Sequence, residues 1–174
     1  MRAGRTITTA GAEEVVVWLE LGPLPGRIRI DGDGLTESFL LPISTSDVLA
    51  LFRRDPPTEG ELEIAIEWIE GAVMPLAKKV PPGAVLVATS DLVRELVDLS
   101  TGSVASLVAS LDAVEARFGQ MALAARRGAW SREVVMDSST CAGLLILREF
   151  MHHAGFDRIE VRAGVTPIPS KEAE

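Results

Sequence analysis

Cysteine, histidine, long apolar runs and positive charge are all scarce in this chain, and each shortage closes off a class of protein. The 174 residues include one cysteine, Cys141, so no internal disulfide framework can form. That suits a reducing cytoplasm, where we expect the protein to reside. The two histidines, His152 and His153, stand side by side. No Ser–His–Asp constellation can be argued from such a pair. They are also a poor metal pair, because helix neighbours project about 100° apart whereas chelation on one face needs i, i+4 spacing. They read as a helix end placed to favour the C-terminal dipole. No apolar stretch approaches the roughly 18 residues a membrane span needs. Arg2 and Arg5 are not followed by the apolar region of a signal peptide. Lys and Arg number 17 against 25 Asp and Glu, for a net charge of −8. An acidic surface repels nucleic acid. It also opposes gripping a long polyanion such as polyphosphate without a basic partner.

The length suits one domain, large enough to bury about two thirds of its unfolded surface. Residues 1–12 are small and polar without a period and read as a flexible lead. Residues 13–165 read as one α/β domain, and 166–174 as a polar, frayed tail. Val15-Val16-Val17-Trp18-Leu19 is β-branched and aromatic, as in a buried strand. Gly22-Pro23-Leu24-Pro25-Gly26 is a turn by composition. Arg27-Ile28-Arg29-Ile30 alternates polar and apolar, the mark of a half-buried strand. Asp31-Gly32-Asp33-Gly34 reads as a second turn, and Glu37 to Pro42 as a third strand. Asp31 and Asp33 resemble the start of a calcium loop, but the late Glu such a loop needs is missing, so the turn reading stands.

The period then changes. Ser44 to Asp47 offers helix caps ahead of Val48, Leu49, Leu51 and Phe52. Thr58 caps the next helix with Glu61 at capping-box spacing, and Pro75 should end or kink it late. Along it Glu59, Glu61, Glu63, Glu67 and Glu70 read as a solvated face. Ala84 to Ala88 is a continuous apolar run, like a strand covered on both faces. Ser90 or Asp91 caps a helix through Leu99. Ser103 begins another, with Leu107, Leu111, Val114 and Phe118 on one side. Asp137 or Ser138 caps a strongly apolar helix that ends at Gly155, and Arg158 to Val161 is a last alternating strand. Alternation also permits a strand over Glu133 to Met136. Cys141 sits between apolar neighbours and reads as a buried, inert thiol. Three strands in a meander, followed by strands separated by helices, predict a mixed sheet with parallel pairing through right-handed crossovers.

Particular residues sharpen this. Leu41-Pro42-Ile43, Val48-Leu49, Phe52 and Asp55-Pro56-Pro57-Thr58 stand in order along the first half. Pro81-Pro82-Gly83-Ala84-Val85-Leu86-Val87 follows, then Met121 to Arg127, then Cys141 to Leu147. In sequence and spacing these resemble the framework of the second, C-terminal actin-like lobe of the exopolyphosphatase and guanosine-pentaphosphate phosphohydrolase (Ppx/GppA) family. The resemblance runs from about Val15 to Ala163. It implies a ribonuclease-H-like (actin-like ATPase) lobe with a mixed five-stranded sheet, three antiparallel strands first, and helices on both faces. It also puts a loop at Glu133 to Met136, and we follow it there.

The resemblance also names the places where phosphate would be held, and there the sequence departs. Such proteins carry Asp-x-Gly-Gly-Gly-Ser-Thr after the first strand of this lobe, with backbone N–H groups that cradle phosphate. Here Glu20-Leu21-Gly22-Pro23-Leu24-Pro25-Gly26 stands instead. Two prolines remove two donors and fix φ near −65°, and the hydroxyl pair is gone. Glu20 is the candidate for the catalytic and metal-holding acid, with Gly22 and Gly26 as the loop's remaining glycines. The second family loop, Gly-Gly-Thr, is replaced by Thr89-Ser90-Asp91, which serves equally as a plain helix cap. The family's last motif, Asp-x-Gly-Leu-Arg-Glu-Gly, is replaced by Arg162-Ala163-Gly164-Val165. The resemblance therefore implies a relative that has lost phosphohydrolase activity and acts as a binding or regulatory module, paired with itself as a homodimer or with a separate partner lobe. The alternative is an active phosphohydrolase on polyphosphate or guanosine penta- or tetraphosphate, using magnesium at Glu20 and a general base from another chain. A second alternative is a small-metabolite binder. In none of these readings is nucleic acid or membrane a partner.

Overall fold

The structure, a computed structural model, describes residues 14–32, 34–88, 90–101, 107–127 and 136–162. The expected lead and tail lie outside the described residues, as do Asp33, Thr89, Ser103, 133–135 and 163–165.

The chain opens with the expected meander. Strands β1 (Val16–Glu20), β2 (Gly26–Gly32) and β3 (Leu35–Leu41) pair antiparallel. Asp31 and Gly32 thus extend β2 instead of opening a turn, and the reversal centres on Gly34 at φ +74°. Two helices follow, α1 (Thr45–Leu49) and α2 (Glu59–Ala77). Each begins in a capping box. Ser44 Oγ accepts from the Asp47 N–H, and Thr58 Oγ1 from the Glu61 N–H, while the acid returns to the cap's own N–H. Pro75 lies in the last turn of α2, which stops two residues later at Ala77. Strand β4 (Val85–Ala88) then runs parallel to β1, and α3 (Asp91–Thr101) follows it.

At this point the expected five strands become six. Val108–Ser110 forms a short edge strand, β5, antiparallel to the last strand, and helix α4 (Leu111–Arg127) begins only after it. Leu107 therefore lies ahead of β5 and not on a helix face. Its carbonyl accepts from the Val161 N–H at 2.7 Å, and Ser110 Oγ caps α4 through the Ala113 N–H at 3.2 Å. Helix α5 (Ser138–Ala154) is capped by Asp137, which accepts from the Thr140 N–H at 2.7 Å. It ends on Gly155 at φ +73°, the left-handed cap its position predicted. Strand β6 (Arg158–Val161) closes the sheet parallel to β4, giving the order β3-β2-β1-β4-β6-β5.

Register sorts the sheet into two faces. Ile28, Ile30, Val17, Leu19, Leu86, Ala88, Ile159 and Val161 share one face and are buried. Against them lies α5, which carries an almost continuous buried run from Thr140 to Leu147 and touches each of the other four helices. Removing a large side chain from such a site costs about 2–5 kcal/mol. Each of the other four described helices packs on α5, and the buried strand residues join the helices in one core. On the other face of β2 its alternate residues Arg27 and Arg29, with Asp31, place charge. There Asp31 accepts from the Trp18 indole at 2.8 Å and pairs with Arg29 at 3.0 Å, while Arg29 and Arg162 lie over the Trp18 ring. Among the described residues no helix is long and apolar enough to cross a membrane.

Candidate functional site

Parallel strands β1 and β4 are neighbours, with Leu19 opposite Ala88, so the segments that follow them emerge together at one end of the sheet. This is where an open α/β sheet places a ligand. The topology therefore brings the Gly22–Gly26 turn beside Ser90 and Asp91. The N-termini of α3 and α5 also lie at this end, because each of α3 and α5 connects through the crossover geometry of the parallel strands.

The turn itself is committed to the fold. The Gly26 N–H donates to the Ile43 carbonyl at 3.0 Å, and the Gly22 carbonyl accepts from the Thr45 N–H at 3.0 Å. The turn is thereby stitched to the segment between β3 and α1. Pro23 and Pro25 have no N–H to offer. Leu21, which leads into the turn, is buried. The two glycines differ in what holds them. A Cβ on Gly26 would lie 2.9 Å from the Glu20 carbonyl oxygen and 3.0 Å from Leu41 Cδ2, whereas one on Gly22 would meet nothing within 4 Å. Neither has a left-handed φ. Gly26 is thus there for close backbone packing.

Glu20 ends β1 half-buried, opposite Arg27 of β2. By strand alternation it shares a face with Trp18, opposite to that of Val17 and Leu19. Asp91 stands exposed in the first turn of α3. Ser90 caps α3, its Oγ accepting from the Val93 N–H at 3.4 Å and its carbonyl from the Arg94 N–H at 3.1 Å. The candidate acids therefore share an end of the sheet. Negative charge at Asp91 suits the helix dipole and occupies the place an anion would take.

No protein-family model matches the sequence, and no curated protein does. Solved structures do match. The Aquifex aeolicus Ppx/GppA phosphatase, in its type II crystal structure, superposes with a TM-score of 0.67 at 18% identity, covering 87% of this chain and 54% of that one. The chain has the Ppx/GppA fold. An exopolyphosphatase from Cytophaga hutchinsonii gives a TM-score of 0.63 at 14% identity, over 88% of this chain and 55% of that one. An exopolyphosphatase-like protein gives 0.64 at 12% identity, over 92% and 58%. This chain therefore spans about half the length of the Ppx/GppA structures it matches.

One cluster escaped the reading of the sequence. Glu70, taken there as part of a solvated helix face, reaches His153 and Glu149 across the α2–α5 contact. The signal was present as the i, i+4 spacing of Glu149 and His153, hidden by attention to the adjacent pair His152 and His153.

Proposed function

We propose that this Ppx/GppA-type lobe is a binding or regulatory module that works against a partner lobe and does not itself hydrolyse phosphoanhydrides. The observation that carries the reading is the Gly22–Gly26 turn. Its terminal N–H and carbonyl are spent on Ile43 and Thr45, and two of its interior positions are prolines. A phosphate cradle needs free N–H groups converging on one point. This turn presents few of them. The chain spans about half of each matched structure, which fits a lobe that faces a partner lobe.

The test is magnesium-dependent phosphate release by the purified protein on polyphosphate and on guanosine penta- and tetraphosphate. We expect no turnover above the buffer and no melting shift with nucleotide. Turnover by the wild type that disappears in Glu20→Ala would overturn the proposal and restore a metal-assisted hydrolase with Glu20 at its centre.

A further inference from the structure

We propose that Glu70, Glu149 and His153 form a site for a small divalent cation of the zinc type, on the α2–α5 contact and separate from the turn after β1. One ligand atom from each residue lies within 4.8 Å of the other two. Glu149 and His153 are four residues apart on α5, the spacing that sets two side chains on one helix face. Glu70 comes from α2, the helix packed alongside α5. Both helices run from the turn end of the sheet toward the end where β4 and β6 begin, so the cluster lies well down the lobe from Gly22 and Asp91.

The distances suit an ion better than direct hydrogen bonds. His153 Nε2 stands 3.6 Å from Glu70 Oε1 and 3.5 Å from Glu149 Oε2. A charge-assisted N–H···O bond would be about 2.7–2.9 Å. A tetrahedral ion with bonds of about 2.1 Å holds its ligands about 3.4 Å apart, which is close to both separations. Nε2 is buried and makes no hydrogen bond even though two carboxylates flank it. A cation between the three atoms would give that nitrogen its partner.

The surroundings support the same occupant. Glu149 is 2% exposed, and a carboxylate buried that deeply needs a partner for each oxygen. Arg148 Nη1 holds Glu149 Oε1 and leaves Oε2 turned to His153. Arg148 is itself fixed by Glu115 at 2.9 Å and by the Phe118 ring at 4.2 Å from its centroid. It is a positioning residue for the ligand carboxylate, in the manner of the outer-shell partners that orient metal ligands. Imidazole with carboxylate oxygen selects a zinc-like ion, whereas magnesium prefers oxygen alone. With three protein ligands, a fourth position is left for water or for a group from a partner.

The experiment is isothermal titration of zinc chloride into the chelator-stripped wild-type chain, alongside its melting temperature with and without zinc. We expect one zinc per chain and a raised melting temperature, with magnesium producing neither. Outer-shell partners alone are worth about 10–100-fold in metal affinity, so His153→Gln and Glu70→Gln should each weaken zinc binding by at least that much. His152→Gln should bind as the wild type does. Glu70 is half-exposed, so its variant keeps the test decisive if the His153 variant fails to fold. The proposal is overturned if the wild type takes up no zinc. It is equally overturned if the folded Glu70→Gln variant binds zinc unchanged, or if His152→Gln loses binding as fully as His153→Gln. None of these readouts depends on phosphate release, so the two proposals stand or fall separately.

Discussion

Replacing Gly26 and Gly22 one at a time by alanine separates a structural turn from a ligand loop. At Gly26 the added methyl would sit 2.9 Å from the Glu20 carbonyl oxygen and 3.0 Å from Leu41 Cδ2. An ordinary carbon–oxygen contact is a few tenths of an ångström longer, so something must give. The oxygen belongs to the last residue of β1, paired to β2 on one side and continuing into buried Leu21. The Gly26 N–H is pinned to Ile43, and Leu41 is fully buried. With little freedom to yield, the strain should cost about 1–3 kcal/mol, as overpacking does elsewhere. For a domain of this size each kcal/mol lowers the melting temperature by about 2–4 °C, so the expected drop is about 2–12 °C. Gly22→Ala meets open space at an ordinary φ. It should be neutral or gain about 0.4–1 kcal/mol by narrowing the unfolded ensemble. Thermal melts followed by circular dichroism, with urea titration as a second measure, decide the matter. A Gly26→Ala protein that melts with the wild type, or a Gly22→Ala protein that melts below Gly26→Ala, would refute the reasoning.

Two further outcomes follow from groups whose titration the fold has moved. Burial, helped by Asp137 and Asp55, pushes the Cys141 thiol up to about 12 from an ordinary 9.0. A folded value above the unfolded one gives stability that is whole below pH 9 and lost as the pH rises from there toward 12. Native protein at pH 8 should therefore label slowly with a thiol reagent and rapidly in urea, and Cys141→Ala should flatten the alkaline limb of the melting curve. The Glu61 carboxyl is held below its ordinary 4.5, chiefly by the Thr58 and Arg53 backbone N–H groups. Here the sign reverses: the stabilisation is present above pH 4.5 and is lost as the pH falls below it. Glu61→Gln should therefore lose less stability on acidification than the wild type, measured as melting temperature against pH.

The sequence showed most where local chemistry and tertiary packing agree. Thr58 with Glu61, Ser90, Asp137 and Gly155 each act at their helix ends through short-range bonds, and those patterns can be read without knowing what lies across the sheet. The alternation in β2 was equally plain, because its buried and half-buried residues follow one another in turn. Strand β5 could not be found that way. Only Ala109 of its three residues is buried, and its pairing with β6 is fixed by residues some fifty positions later. In isolation Leu107 fits a helical stripe as well as it fits a strand end. The Glu70–Glu149–His153 cluster was half legible, since spacing could pair Glu149 with His153 but nothing local could bring in Glu70. At the turn, the prolines announced the loss of two donors, but the use of the Gly26 N–H by Ile43 depends on how β3 returns to the meander.

The central place of α5 has a consequence for the order in which this protein can come into being. Helices α1, α2, α3 and α4 all rest on a helix that the ribosome makes after them, and β6 comes later still. At about 5–20 residues per second, the apolar stripe of α2 waits several seconds for its cover. During that interval the nascent chain holds the meander and four helices without the one helix that each of them packs against. The lobe therefore cannot be assembled strand by strand as it emerges. The core is completed only when α5 arrives, because the surfaces that α1 to α4 turn toward it have no other cover.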